Sequence, residues 1–571
     1  MTPSLSRLLR NPLILIALAL AFAVALPVAS VFSNLFAGGT GETWHHMVDT
    51  VLGEYIANTL VLLVGVGIGV TVVGISCAWL TAMHDFPGRG VFEWALVLPM
   101  AMPAYVMAYV YTDLLQFVGP VQTTLRETFG WSRADYWFPD IRSRGGAVMM
   151  FVLVLYPYVY LLARTAFLER ASGMAEAARM LGVGPWQSFF RVSLPLARPA
   201  VAAGASLALM ETLADYGTVS YFAVPTFTTG IYRAWFSMGD RIAAAQLAGG
   251  LLAFVILLVA LEQISRGRAR FNDTTQRNRP AAGRRLRGAR AWAAFLACAT
   301  PLLLGFVIPA LLLFRMTFGD GSAPSSDDGD AAYAVTSSLP QFLSLARNSV
   351  MLAATTALIA VALALFLAYG ARLWKGWLFS GLNRLVGLGY AVPGSVIAVG
   401  VLIPVTRLDH WLASQWEALS GTHPGLLLTG GMAALIYAYL VRLLAVALQS
   451  VQAGLSKITR SMDDAARCLG QSQAGTLLSV HVPLLRGSLF TAGLLVFVDV
   501  MKELPATLVM RPFNLDTLAT RTYTLAADER LAEAALPALA IVVVGLLPMI
   551  VLSRQIALGR KNPEKQSAPM C

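Results

Sequence analysis

Glu176-Ala177-Ala178-Arg179-Met180-Leu181-Gly182, followed nine residues later by Val192-Ser193-Leu194-Pro195, decides how this chain is read. The pattern returns as Asp464-Ala465-Ala466-Arg467-Cys468-Leu469-Gly470, with Val480-His481-Val482-Pro483 after the same gap and 288 residues further along. The residues from the acid to the leucine favour a short helix, and the two alanines keep one of its faces flat enough to seat in a groove. Gly182 and Gly470 permit the left-handed turn that ends such a helix. Pro195 and Pro483 suit the first turn of the helix that follows, where their missing N–H is harmless. Matches continue outward. Asn58-Thr59 and Asn348-Ser349 stand 290 residues apart, as do Ala101-Met102-Pro103-Ala104 and Ala391-Val392-Pro393-Gly394. Glu211 and Asp215 return as Asp499 and Glu503 at the 288-residue step. A nearly constant step over this length implies a duplicated, fused module of the kind transporters use to build a path between halves.

The chain has 571 residues, 57% hydrophobic and 13% charged, with a mean hydropathy of +0.66. Soluble domains are roughly a quarter charged, so the composition places the chain in membranes. Stretches near the ~20 apolar residues of a span fall at 13–34, 56–82, 92–117, 146–168, 199–222, 243–264, 291–314, 349–371, 382–405, 427–449, 487–510 and 533–553. The expected fold is therefore an all-α membrane protein of about twelve helices in two homologous halves. The first half is 1–270 with loop 176–195, and the second is 291–571 with loop 464–483. Between them lies a basic linker, 271–290. The first span follows Arg7 and Arg10 and could be a signal peptide, but its apolar run exceeds the 7–15 residues of such a region, which favours a retained anchor. Nine arginines between Arg266 and Arg290 face the single acid Asp273, which puts that stretch in the cytoplasm. Asp320, Asp327, Asp328 and Asp330 suit the outer face. Counting spans from a cytoplasmic N-terminus gives the same sides, with the C-terminus cytoplasmic and the basic stretch needing no nucleic acid. The scattered Cys77, Cys298, Cys468 and Cys571 form no disulfide framework or zinc spacing.

The two acid-Ala-Ala loops resemble the EAA loop of binding-protein-dependent ABC importers, in which it is the coupling helix. The resemblance implies two type I importer permease halves in one multi-pass inner-membrane chain. Glu176, Ala177, Ala178, Gly182, Asp464, Ala465, Ala466 and Gly470 would then dock the ATPase. No GxxxxGK[ST] sequence occurs, so the chain carries no phosphate-cradling loop. ATP and Mg would be used by a separate ATPase homodimer on the cytoplasmic side, and this chain itself would bind no cofactor. The stretches Glu211–Phe222, Thr226–Phe236 and Gly239–Leu247, with Asp499–Thr507 and Asp516–Thr520, further resemble fused permeases of ferric-iron importers. This implies Fe(III) delivered by a periplasmic iron-binding protein, with membrane lipid around the spans. Thiamine, polyamine, sulfate and phosphonate permeases share the superfamily.

Iron(III) prefers oxygen donors, and intramembrane acids mark pathways by default. Glu211, Asp215, Asp499 and Glu503 therefore have two readings: a field or ligands for a passing cation, or acids paired at helix ends, with Lys502 beside Glu503 as a partner. Tyr105, Tyr109 and Tyr111 read as belt or packing residues, with phenolate ligands as the alternative. His45-His46 reads as a surface pair rather than a metal site. A gradient-driven transporter is the rival class, and it leaves the paired loops unexplained. A membrane-embedded enzyme would need a nucleophile–base grouping that is absent from the sequence.

Overall fold

The computed structural model describes residues 12–36, 41–168, 180, 182, 184–266, 284–318, 331–374, 377–422 and 425–565. Eleven described helices are long and apolar enough to cross a membrane, and twelve if the bent pair Arg89–Ala101 and Ala104–Phe129 is one span. The one strand pair among the described residues is His84-Asp85 beside Arg284-Arg285, parallel. The all-α expectation holds. Glu176, Ala177 and Ala178, most of the basic linker and the four outer acids lie outside the described residues.

Helix Gly53–Met83 shows how lipid shapes these elements. Asn58, Leu62, Val66, Val70 and Gly74 recur every fourth residue and are buried, while Leu60, Val64, Ile68 and Val72 are exposed. A helix apolar all round belongs to a lipid solvent. The burial stripe then follows small and shape-matched residues rather than polarity.

The chain divides into two compact units. One comprises 49–229, 253–331 and 522–571. Its centre packs Gly53–Met83, Arg144–Ala166 and Leu194–Ala214 around the buried Tyr156, Tyr160 and Val159. The other comprises 1–48, 230–252 and 332–521. Gly394–Ser420, Ala433–Leu455 and Val482–Met501 form its centre around Tyr439, Val399 and Val441. The units are thus not the sequence halves 1–270 and 291–571: each gathers flanking helices from the other half. Close backbone approach fixes these added helices. A Cβ on Gly400 would lie 2.3 Å from the carbonyl oxygen of Pro27, and one on Gly305 would lie 2.8 Å from that of Leu153.

Two sets of spans differ from the expected ones. The stretch expected at 92–117 is broken, its two helices bent by 92°. Pro103 and the residue before it are extended; a proline disfavours helical geometry in its predecessor and offers no N–H to continue the first helix. The fifth and eleventh spans run Trp186–Ala214 and Gln473–Met501, earlier than the expected 199–222 and 487–510. Pro195 and Pro483 stand in the first turn of Leu194–Ala214 and Val482–Met501, as expected. In each case a π turn, Phe189–Ser193 or Leu477–His481, precedes the proline. The extra residue of a π turn lets helix continue where the proline lacks an N–H and its ring crowds the preceding carbonyl.

Gly204 sits where Leu194–Ala214 crosses Arg144–Ala166. A Cβ there would lie 2.7 Å from Val159 Cα and 2.8 Å from the Tyr158 carbonyl oxygen. These are backbone atoms that cannot rotate away. Gly204→Val is expected to cost about 1–3 kcal/mol or more, the range for overpacking. The check is a lowered thermal midpoint in detergent, against Gly487→Ala, where nothing lies within 4 Å. Equal midpoints would refute the close crossing.

Candidate coupling site and the matched acids

Arg460–Cys468 is a helix whose polar and apolar residues separate sharply. Asp464, Ala465 and Arg467 are exposed, and Ala466 is buried. Gly470, at φ 80°, ends the helix. Its amide returns to the Arg467 carbonyl at 2.9 Å, and the Gln471 amide returns to that of Ala466 at 3.0 Å. This double return is the closure expected at a left-handed glycine. Ser472 Oγ then accepts from the Gly475 amide at 3.0 Å and opens the next helix. In the first loop Gly182 has φ 77°, so the two glycines share one backbone state.

Asp463, one residue before the motif acid, holds the second loop in place. Its carboxylate meets Arg372 Nε at 2.8 Å and the fully buried His481 Nε2 at 2.6 Å. Arg372 also donates to the carbonyls of Leu455 (3.0 Å) and Thr459 (3.1 Å). One arginine therefore ties span Leu339–Leu373, the end of Ala433–Leu455 and helix Arg460–Cys468 together. Asp464 is thereby left facing solvent. Sequence reasoning missed Asp463 and Arg372. The available signal was the doubled acid Asp463-Asp464, whose first member is matched by Ala175.

The four matched acids divide into two kinds. Asp215 follows the last residue of Leu194–Ala214 and accepts from the Thr218 amide (2.8 Å), the Thr218 hydroxyl (3.1 Å) and the Val219 amide (3.4 Å). Glu503 accepts from the amides of Ala506 (3.0 Å) and Thr507 (3.1 Å) and the Thr507 hydroxyl (2.7 Å). Each carboxylate satisfies otherwise orphaned donors at the start of a short helix, Gly217–Tyr221 or Pro505–Met510. Glu211 and Asp499 sit one turn earlier. Lys502 pairs with Asp499 at 2.9 Å, not with Glu503, because i,i+3 neighbours share a helix face. Glu503 instead approaches Arg442 at 3.7 Å.

The repeat extends to hydrogen bonds. Asn58 donates to the Pro225 carbonyl (2.8 Å), and Asn348 donates to that of Asp516 (3.2 Å). The Thr226 amide donates to Thr229 Oγ1 (2.8 Å) as the Thr517 amide does to Thr520 Oγ1 (2.9 Å). Tyr105, Tyr109 and Tyr111 are buried in packing rather than in a belt, with Tyr111 donating to the Leu304 carbonyl at 2.6 Å. His45 and His46 are exposed. Among the described residues, no three His, Cys, Asp or Glu side chains gather as a metal site.

Residues 70–263 match the family described as binding-protein-dependent transport system inner membrane component. The chain is 25% identical to the Fe(3+)-transport system permease protein FbpB 2 of Haemophilus influenzae over 504 residues, covering 88% of this chain and 90% of that protein. It is 24% identical to the putative ferric transport system permease protein FbpB 1 of the same organism, over 90% of this chain and 79% of that one. The molybdenum transport system permease protein ModB of Escherichia coli is 31% identical over 206 residues, 34% of this chain and 87% of ModB.

Proposed function

Since this chain belongs to the binding-protein-dependent transport inner-membrane components, we propose that it is the fused permease of an importer that carries Fe(III) across the inner membrane. The chain is a multi-pass transporter subunit, and permeases of this family work with an ATPase and a periplasmic binding protein. The observation that carries the iron reading is similarity to two ferric permeases over 88% and 90% of this chain, against the ModB match to 34% of it.

In this reading the two loops face the cytoplasm, as do both termini, and each docks one member of an ATPase homodimer that uses ATP and Mg. Glu176, Ala177 and Ala178 form one docking face, and Asp464, Ala465 and Ala466 form the other. Gly182 and Gly470 set their angles. ATP-driven closure of the dimer moves both loops, and the spans they continue into change the side on which the path is open. Helix capping consumes Asp215 and Glu503 and Lys502 pairs with Asp499, so we assign to the path no more than a weak field from the matched acids. A path needs only weak sites, because its cargo must leave as readily as it enters.

Uptake of radiolabelled ferric iron by cells with and without the chain tests the reading. Uptake is expected to need the chain and to ignore excess thiamine or molybdate. Suppression by either competitor would reassign the substrate. Uptake that persists without the ATPase would move the chain to the gradient-driven class.

A further inference from the structure

The 290-residue step aligns Arg89, Glu93 and Trp94 with Phe379, Asn383 and Arg384, and the 288-residue step aligns Arg164 with Gln452. In the first set the positions are filled by a closed ionic cluster. Glu93 meets Arg89 Nε at 3.1 Å and Arg164 Nη2 at 3.3 Å, and all three side chains are largely buried. Trp94 beside them is exposed. In the second set both the carboxylate and the guanidinium have become amides, and the aligned positions line a cavity of about 460 Å³. Its wall includes Trp374 and Phe379, stacked with centroids 5.7 Å apart and planes at 10°. Gly370 makes room for that wall, since a Cβ there would lie 2.6 Å from the Phe379 ring. Among the described residues, Asn383 Oδ1 is buried with no hydrogen-bond partner. Arg384, where the other half exposes a tryptophan, is exposed and is the single cation among the described lining residues.

We propose that this cavity binds the headgroup of one phosphatidylethanolamine molecule from the leaflet on the coupling-loop side. The place fits a lipid. The lining comes from the last turn of the span ending at Leu373, the start of Trp377–Leu388 and the end of Ala433–Leu455. Arg372, two residues before Trp374, binds Asp463 of the second loop, so the cavity lies at the coupling-loop end of these spans. Stacked aromatic rings suit the headgroup level, and pockets between spans that hold a cation bind lipid headgroups. The chemistry selects the headgroup. Arg384 offers a planar fork to one phosphate. An orphaned amide oxygen accepts a hydrogen bond and is satisfied by an ammonium donor. A zwitterion with phosphate and ammonium two carbons apart supplies both, whereas phosphatidylcholine has no N–H to donate and phosphatidylglycerol offers only neutral hydroxyls, weaker donors than an ammonium. Assigning this face to the cytoplasmic leaflet rests on the orientation proposed above. The binding itself does not.

Native mass spectrometry of the full permease, purified in detergent and exchanged with dioleoyl phosphatidylethanolamine, phosphatidylglycerol or phosphatidylcholine, tests this. One phosphatidylethanolamine adduct is expected to resist delipidation, and Arg384→Gln to weaken it about tenfold, the scale of one charge-assisted hydrogen bond. The paired change Asn383→Glu with Gln452→Arg rebuilds the first half's ion pair and is expected to expel the lipid while the thermal midpoint holds or rises. Equal retention of all three lipids, or an adduct unchanged in Arg384→Gln, would overturn the proposal. Displacement by millimolar soluble O-phosphoethanolamine would overturn the lipid as the source of the headgroup. The readout needs neither ATP nor substrate, so it stands or falls apart from the importer reading.

Discussion

The double substitution Gly182→Val with Gly470→Val is expected to abolish uptake and release the ATPase while leaving the spans folded. Both glycines occupy the left-handed region, φ 77° and 80°, and among the described residues no atom lies within 4 Å of a Cβ at either. Space is not the obstacle; the backbone is. A β-branched residue is a genuine outlier there, and forcing it in costs roughly 1–2 kcal/mol per site. The second loop need not accept that cost, since the last turn of Arg460–Cys468 can unwind. Unwinding removes the return bonds from Gly470 and Gln471 and tilts the face that carries Asp464 and Ala465. The loss of coupling therefore far exceeds the small loss of stability. Gly182→Asn with Gly470→Asn is the control, because asparagine tolerates the left-handed state. It is expected to retain most of the uptake and of the ATPase that copurifies. Uptake by the valine variant at the level of the parent would remove these loops from the mechanism.

The steps of 288 and 290 residues made the module legible in the sequence, and its details recur at atomic scale. Asn58 and Asn348 make the same side-chain-to-carbonyl bond, and Asp215 and Glu503 cap equivalent short helices. The glycine turns were legible for the same reason: only one backbone state explains a glycine at that place in both copies. Other features were not legible. The Arg372–Asp463 tie spans 91 residues, and no local pattern reports so distant a contact. Lys502 was assigned to its neighbour in sequence, whereas its neighbour on the helix face is Asp499. The exchange of flanking helices between compact units was hidden for a more general reason. Apolar helix faces in lipid have no hydrophobic preference for one partner over another. The choice falls to backbone approach at single glycines such as Gly400 and Gly305, which look like any other glycine in a span.

Glu503→Leu is expected to be the most damaging single change, and it separates the two roles open to that acid. The side chain is 4% exposed. Leucine fills nearly the same volume but accepts nothing. The amides of Ala506 and Thr507 would lose their acceptor, and Arg442, with its side chain only 13% exposed, would lose the carboxylate 3.7 Å away. Removing one partner of a buried charged pair costs about 3–5 kcal/mol. The expected outcome is a protein that accumulates poorly, unfolds many degrees lower in detergent and carries no iron. Adding Arg442→Met to Glu503→Leu removes the stranded cation and is expected to recover part of the midpoint, more than the sum of the single effects allows. Uptake would stay low, because the Pro505–Met510 helix would still lack its cap. A carboxylate that acts on the passing cation predicts a different pattern. Glu503→Leu would then fold with the parental midpoint and lose uptake alone, and Arg442→Met would rescue nothing. Thermal unfolding measured beside uptake for the four proteins of this cycle decides between them. A parental midpoint in Glu503→Leu would return Glu503 to the translocation path.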